Sequence, residues 1–418
     1  MDTCTHPDHG QYTRWYSLGK YLSKMGHQPY VFVGSHPHNS NIQLIESRKA
    51  YQIYADSPFP WILVHTLKYG RRRLIRILSM FVYFWNSCKA AAFYAKDGLP
   101  DAIIGSSPHP LCNLLAIHLG RKYHCKSVIE IRDLWPESIV AYKIAGPHHP
   151  AVIFLRWLEK WMYQNADAII FTMEGGYEYI LERKWERVIP REKCFFINNG
   201  VDLEDFISNR EYYQIPDEDL DNPNYFNIVY AGSIRRAYNI KFILDIAQHV
   251  KNPRVRFLIW GDGTEREKLE QRVREEQIQN VKFKGRVDKK YIAHILSRAL
   301  LLLLLSEDST QIERFGISAN KLFDYFAAGK PVLSLLWCRY HPGVESGAVR
   351  ALEMPDAETA AAVIDEMSHM PPEEYRQMCE AAEQEAEKYD FSNLARSVVD
   401  AVNGGQAMKE KESNAVHI

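Results

Sequence analysis

Short apolar runs alternate with stretches of helical period along most of the chain, the pattern of parallel strands covered by helices on both faces. In the first half the runs are Pro29–Gly34, Ala102–Ser106, Ser127–Ile131, Ala168–Thr172 and Cys194–Ile197. In the second half they are Phe226–Ala231, Val255–Trp260, Val281–Phe283, Leu300–Leu305 and Pro331–Leu335. Each half therefore predicts a doubly wound α/β domain, the first at 1–204 and the second at 225–388. Asp, Asn and Pro gather at 205–224 and mark a linker. The leucine run Leu300–Leu305 falls far short of the ~20 residues a membrane span needs and reads as a buried parallel strand.

The opening of the chain breaks the alternation. A doubly wound domain starts with a strand, whereas here loop-like residues lead through Gly10 into a helix-like segment, Tyr12 to Met25, and a turn at Gly26. The first strand is expected to be missing, through truncation, a misassigned start or a shortened sheet. The polar tail at 404–418 predicts disorder.

Composition narrows this little: 418 residues suit two domains, and 46% hydrophobic with 25% charged residues exclude disordered and fibrous classes. The seven cysteines are scattered without a CxxC spacing, which excludes a disulfide framework or zinc cluster and suits a reducing cytoplasm. Charge adds more. Residues 1–200 carry 24 Lys+Arg against 16 Asp+Glu, or +8, and the remainder 51 − 24 = 27 against 52 − 16 = 36, or −9. One half thus faces an anionic partner. Within it, Arg71, Arg72, Arg73 and Arg76 head an apolar, aromatic-rich helix at 68–86, the composition of an interfacial helix on anionic lipid. A core helix with a basic first turn fits the same residues. No nucleic-acid motif accompanies the cluster, so nucleic acid is not an expected partner.

The densest chemistry lies in Phe315-Gly-Ile-Ser-Ala-Asn-Lys-Leu-Phe-Asp-Tyr-Phe-Ala-Ala-Gly-Lys-Pro-Val-Leu333, a loop, an amphipathic helix, a glycine stop and a strand. Ser318 reads as the N-cap, and a helix N-terminus beside a strand end offers amide groups and a positive dipole to a diphosphate. Lys321 in the first turn opposes the dipole unless an anion is bound. Asp324 stands one turn on, where it can accept from ribose hydroxyls. An ordinary capped helix is the plain alternative.

This cluster resembles the donor-site signature of glycosyltransferase family four, retaining enzymes of GT-B fold, especially the bacterial capsular and O-antigen polysaccharide branch. Further pieces follow in order over roughly residues 10–400. Gly10 and Arg14 resemble the glycine-rich loop and helix near the family's N-terminus, and Glu130-Ile-Arg-Asp-Leu-Trp-Pro-Glu-Ser138 its Asp-Leu-Trp-Pro segment. Asn199-Gly-Val-Asp202 resembles the end of its first domain, and Tyr230-Ala-Gly-Ser233 and Gly261-Asp-Gly263 the glycine turns of its second. The Tyr389-Asp-Phe-Ser392 segment and the helix at 389–403 resemble the terminal helix that crosses back onto the first domain.

The resemblance implies two Rossmann-like domains facing a cleft. It implies a nucleotide-sugar donor, UDP-linked in expectation, held by Gly232, Ser233, Arg235, Lys241, Gly261, Gly263, Val287, Gly316, Ile317, Ser318 and Asp324. Asp133, Arg236 and Lys321 are the expected catalytic residues. Gly10, Arg14, Glu137, Glu174 and Asn199 are the expected acceptor side. Neither metal nor cofactor is expected, since fixed cations and amide dipoles can stabilise the departing diphosphate. The family's pair of acidic residues eight apart is incomplete here: Asp324 stands at the second position, Gly316 at the first, so sugar hydroxyls are expected to meet the amides of Gly316 and Ile317. Arg132 replaces a His common before Asp133.

The acceptor implied is a polyprenyl-linked saccharide at the inner membrane face, with the protein cytoplasmic and peripheral. Two alternatives stand beside this reading: a nucleotide-sugar epimerase of the same fold, and a non-catalytic nucleotide-sugar-binding partner subunit.

Overall fold

The computed structural model describes residues 6, 14–37, 42–45, 49–54, 56–70, 72–306, 310–336 and 338–405. Gly10, Arg71 and the tail beyond Gly405 lie outside them. The chain forms two compact units, Met1–Asn198 with Phe391–Ile418, and Asn199–Asp390.

The first unit runs α1 (Arg14–Lys24), β1 (Val31–Gly34), β2 (Tyr51–Tyr54), β3 (Trp61–Val64), α2 (Arg73–Tyr94), β4 (Ala102–Ser106), α3 (Pro110–Tyr123), β5 (Lys126–Ile131), α4 (Glu137–Ala141), α5 (Pro150–Asn165), β6 (Ala168–Phe171), α6 (Gly176–Glu182) and β7 (Cys194–Phe196). The last helix of the chain, α15 (Phe391–Asn403), returns to it and packs on α1 and β6. Among the described residues its strands form two sheets instead of one. One has the order β1-β3-β2, with β2 antiparallel; the other is the parallel β4-β5-β6-β7. Strand β6, Ala-Ile-Ile-Phe, is buried along its whole length, as expected for a parallel strand with helices on both faces.

Helix α2 inverts the ordinary arrangement. Ser79, Tyr83, Ser87 and Ala90 face inward, while Leu74, Ile77, Leu78, Phe81 and Trp85 are exposed, Leu74 by 77% and Trp85 by 65%. Their spacing of three and four makes a continuous apolar stripe on one side of the helix. On α5, Ile153, Phe154 and Trp157 are exposed as well, with the Phe154 and Trp157 rings stacked. Among the described residues no helix is long and apolar enough to cross a membrane.

The second unit runs α7 (Leu203–Tyr212), β8 (Phe226–Ala231), α8 (Lys241–His249), β9 (Val255–Trp260), α9 (Arg266–Glu275), β10 (Val281–Gly285), α10 (Ile292–Ser297), β11 (Leu301–Leu304), α11 (Thr310–Glu313), α12 (Asn320–Ala327), β12 (Val332–Ser334), β13 (Val349–Ala351), α13 (Ala357–Ser368) and α14 (Pro372–Lys388). All strands are parallel, in the order β10-β9-β8-β11-β12-β13. The leucine run is β11, buried throughout. Ile243, Leu244 and Ile246 of α8 meet Ile228, Tyr230, Phe257 and Ile259 in one core.

The composition-based linker at 205–224 is a correction. Its first part is α7, capped by the Asp202 side chain accepting from the Asp205 amide. Its acidic turn is pinned within the second unit, where Lys284 Nζ bonds Asp217 at 2.7 Å and Asp219 at 2.6 Å. Acidic residues that read as solvated spacer are ion-paired to β10.

Candidate functional site

The sheet order of the second unit reverses at β8, with β9 and β10 to one side and β11 to β13 to the other. Ligands collect outside the carboxyl ends of strands at such a switch point. The loops that leave those ends carry Gly232, Ser233, Arg235 and Arg236 after β8, Gly261 and Gly263 after β9, Val287 after β10, and Gly316, Ile317 and Ser318 after β11. Two of these loops interlock. The Gly232 amide donates to Trp260 O at 3.0 Å and the Ile234 amide to Asp262 O at 2.9 Å. Gly261 sits at φ +141°, and a Cβ added there would lie 1.7 Å from Gly232 O; one added at Gly263 would lie 2.2 Å from Ile234 O. Only glycine lets the two turns approach this closely.

Helix α12 is fixed above the same strands by Tyr325, whose hydroxyl donates to Leu303 O and accepts from the Ala231 amide, both at 3.3 Å. This places Lys321 beside the Gly232 turn, its Nζ 3.0 Å from where a Cβ of residue 232 would stand. Nζ donates to the Tyr230 hydroxyl at 2.9 Å and lies over the rings of Tyr230 and Tyr238, 4.4 and 4.1 Å from their centroids. Burial pushes its pKa down to about 7. An ammonium partnered by a phenol and aromatic faces gains from any anion that reaches it.

Ser318 differs from expectation. The cap position belongs to Ala319, which has extended backbone and no capping side chain, because the helix begins only at Asn320. The Ser318 hydroxyl is instead buried with no hydrogen-bond partner among the described residues. A lysine ammonium, an uncapped helix N-terminus and an unpartnered hydroxyl thus converge on one place, which is the chemistry of an oxyanion site. Asp324 lies one helical step beyond Lys321; burial raises its pKa, and Lys289 opposes this. Arg235 and Arg236 are exposed on the β8 loop, and Lys241 is exposed at the first position of α8.

Sequence reasoning missed Tyr230 and Tyr238, which read as strand and loop residues, and it missed Glu313. An ungapped count back from Asp324 lands on Gly316. Glu313 stands three residues earlier, at the end of α11, where its Oε1 accepts from Ser306 Oγ just beyond β11. Asn199, expected on the acceptor side, belongs to the second unit, buried, and its Nδ2 donates to Ser318 O at 3.1 Å. It braces the loop that leads into α12.

In the first unit, Arg14 is also a brace. Its guanidinium bonds Glu130 Oε1 at 2.9 Å and the carbonyls of Ile197 and Asn198, while Trp15 Nε1 donates to Glu130 Oε2 at 3.0 Å and Ser106 Oγ adds a further bond. Burial works to raise the Glu130 pKa, but Arg14, Arg132 and Ser106 outweigh it and hold it below the ordinary value. The ion pair ties α1 to β4, β5 and the end of β7, and both partners are spent on that structure. Glu137 is likewise engaged, by Arg156 at 2.9 Å and by Arg183, so it is not a free base.

Asp133, exposed just after β5, and Glu174, half-buried on the turn after β6, share one rim of the four-stranded sheet because Ile131 and Phe171 are paired. His109 is buried against Cys112, and that burial pushes its pKa down to about 3.

Similar proteins agree with this layout. Among solved structures, sucrose-phosphate synthase from Thermosynechococcus elongatus superposes with TM-score 0.66 at 18% identity, covering 94% of this chain and 93% of that one. HepE of Anabaena in complex with UDP superposes with TM-score 0.64 at 12% identity, covering 96% and 98%. At these identities the likeness concerns fold, and the fold is GT-B, built of two Rossmann-like domains.

A model described as Glycosyltransferase Family 4 matches residues 9–205, and one described as Glycosyl transferases group 1 matches 214–385. Together the two matches span most of the chain and support a glycosyltransferase of the family-four type. The probable glycosyltransferase WbjE of Pseudomonas aeruginosa is 24% identical over 230 residues, a match spanning 53% of this chain and 53% of that protein, about half of each.

Proposed function

We propose that the protein is a retaining glycosyltransferase that moves a hexosyl or N-acetylhexosaminyl group from a UDP-sugar to a polyprenyl-linked saccharide in bacterial surface-polysaccharide synthesis. The observation that carries the donor half of this reading is Lys321, held by Tyr230 and Tyr238 beside the Gly232 turn and the uncapped start of α12. The β-phosphate of the donor would take Lys321, the Ser318 hydroxyl and the first-turn amides, with Arg236 closing from the β8 loop and Lys241 behind it. Val287 would lie along the base, and Glu313, Gly316 and Ile317 along the sugar. HepE, described with bound UDP, supports a uridine donor by analogy of fold.

In this reading the bond from the anomeric carbon to the phosphate oxygen breaks and a bond to the acceptor oxygen forms on the same face. The acceptor proton passes to the departing diphosphate, whose charge is stabilised by fixed cations and dipoles. A protein base is then unnecessary, which fits the engagement of Glu137 by two arginines; Asp133 orients the acceptor hydroxyl. The acceptor is lipid-linked, and the apolar stripe of α2 below Arg72 and Arg76 would hold the protein on the cytoplasmic face of an anionic membrane.

The test is UDP release from a panel of UDP-sugars, with and without a polyprenyl-diphosphate saccharide presented in vesicles. Acceptor-dependent release with retained anomeric configuration supports the proposal. Interconversion of the donor without acceptor would identify an epimerase instead, and UDP binding without turnover a non-catalytic partner.

A further inference from the structure

Helices α2, α3 and α5 stand side by side on one face of the first unit. Helix α3 is the middle one: its His118 ring lies 5.9 Å from that of Phe84 on α2, and its Arg121 guanidinium 5.4 Å from the centre of the Trp161 ring on α5. All three begin at the carboxyl ends of the strands. Asn86, midway along α2, donates to His65 O just past the end of β3 at 3.1 Å, so the first half of α2 projects beyond the strand. On α5, Arg156 donates to Glu137, at the start of α4 after β5, and to Pro147 O at 2.8 Å. Asp133 and Glu174 belong to this same edge.

The outer surface at that edge is apolar and lacks negative charge. The first half of α5 exposes Ile153, Phe154 and Trp157, and the turn ahead of it exposes Tyr142 and Ile144, these two by 66% and 68%. They share the edge with Leu74, Ile77, Leu78 and Phe81 of α2, and half-buried Leu111 and Leu114 of α3 stand between. Across the three helices the only carboxylate is Glu159, which is buried, whereas Arg72, Arg121, Lys122 and Lys143 on or beside them are exposed. Aromatic and aliphatic residues bordered by cations suit the interface of an anionic bilayer. A second copy seated on this face would set its cations against like cations, which argues for lipid over self-association.

We propose that α5 and the turn before it form a second membrane anchor beside α2, so that the first unit rests on anionic lipid through a footprint of two helices. The inference rests on the membrane reading proposed for α2. One helix in the interface leaves the unit free to roll about that helix; two, held apart by α3, fix the roll. The edge with Asp133 and Glu174 then meets the headgroup layer, where an acceptor whose lipid stays in the bilayer presents its sugar. Tyr142 and Trp157 have the amphipathic rings favoured at headgroup depth, and Lys143, between Tyr142 and Ile144, meets lipid phosphate.

The experiment uses the full chain and vesicles of phosphatidylethanolamine and phosphatidylglycerol. Replacing Ile153, Phe154 and Trp157 together by Gln should weaken sedimentation with vesicles at least about tenfold although α2 is intact, because apolar surface that enters lipid is lost. Acyl chains brominated near the headgroups should quench the parent's tryptophan fluorescence, and Trp157→Phe should remove part of that quenching; this second readout needs only one conservative change. If the triple variant binds as the parent does and Trp157→Phe leaves the quenching unchanged, while substitutions on α2 abolish binding, α5 is no anchor and the reading of α2 stands. If neither helix affects binding, both fall. A parent that is dimeric by light scattering and becomes monomeric in the triple variant, with vesicle binding unaltered, would assign the face to a second copy and overturn the proposal.

Discussion

Burial holds the Lys321 ammonium at about 7 against an ordinary value of 10.5, and a bound diphosphate works the other way by favouring the charged form. The complexed lysine therefore titrates at higher pH than the free one. Between the two values binding takes up a proton, so UDP affinity should fall as pH rises above about 7, by no more than tenfold per pH unit. Calorimetry in buffers of different ionisation heat reads the proton uptake directly. Lys321→Met should weaken UDP binding by about 10- to 150-fold, the range of a charged hydrogen bond worth ~1.5–3 kcal/mol, and should flatten the pH dependence. If the variant keeps the wild-type pH slope, Lys321 is not the group that meets the phosphate.

At the same scale, Gly261→Ala forces a Cβ to within 1.7 Å of Gly232 O at φ +141°, so the two glycine turns must part. The expected result is a loss of roughly 1–3 kcal/mol in stability by denaturant unfolding, with UDP binding reduced alongside. Lys321, Asp324 and the glycines were legible in the sequence because each is chemically odd where it stands. Asn199 was legible as a motif, though its bond to Ser318 was not, and the roles of Tyr230 and Tyr238 were silent, because an aromatic cradle for an ammonium has no local spacing to betray it. The ion pairs of Arg14 and Glu137 were not legible for a related reason: their partners lie far along the chain, Glu130 for one and Arg156 and Arg183 for the other.

Among elements, the parallel strands were readable because burial on both faces imposes unbroken apolar runs. Strands β2 and β13 were not, because β2 is antiparallel at a sheet edge and, like β13, mostly only part-buried; β3 is a buried apolar run that went unread. Helix α2 left two readings open: Tyr83 and Ala90 face the core, while Leu74, Ile77, Leu78, Phe81 and Trp85 face out. Replacing Leu74, Phe81 and Trp85 together by Gln removes apolar surface worth well over ~1.4 kcal/mol if the stripe enters lipid. Binding to anionic vesicles should fall at least about tenfold by sedimentation, while the unfolding midpoint stays nearly unchanged because the side chains are already exposed. A variant that binds vesicles as well as the parent would return α2 to the role of a surface helix. Raising salt should weaken the parent's binding through Arg72 and Arg76, more so than it affects apolar contacts.

For the whole molecule, two units with separate cores make stability a property with two handles. In the first unit Glu159 is buried and accepts from the Tyr163 and Tyr179 hydroxyls at 2.9 and 2.7 Å, and burial pushes its pKa up to about 8 from an ordinary 4.5. A carboxyl that holds its proton more tightly folded than unfolded contributes stability in full below about 4.5, and that contribution is lost as pH rises through 8. Glu159→Gln keeps a neutral hydrogen-bonding group without the titration, so its advantage over the parent should grow between pH 5 and 8, to a few kcal/mol at most. In the second unit UDP should stabilise by RT ln(1 + [L]/Kd), about 2.7 kcal/mol at a hundredfold excess over Kd. Scanning calorimetry should then resolve one transition that moves with pH and with Glu159→Gln, and another that moves with UDP and is lost to UDP in Lys321→Met. A single transition that shifts equally with both would mean that the units unfold as one cooperative block. The separate cores and the placement of both handles argue for two.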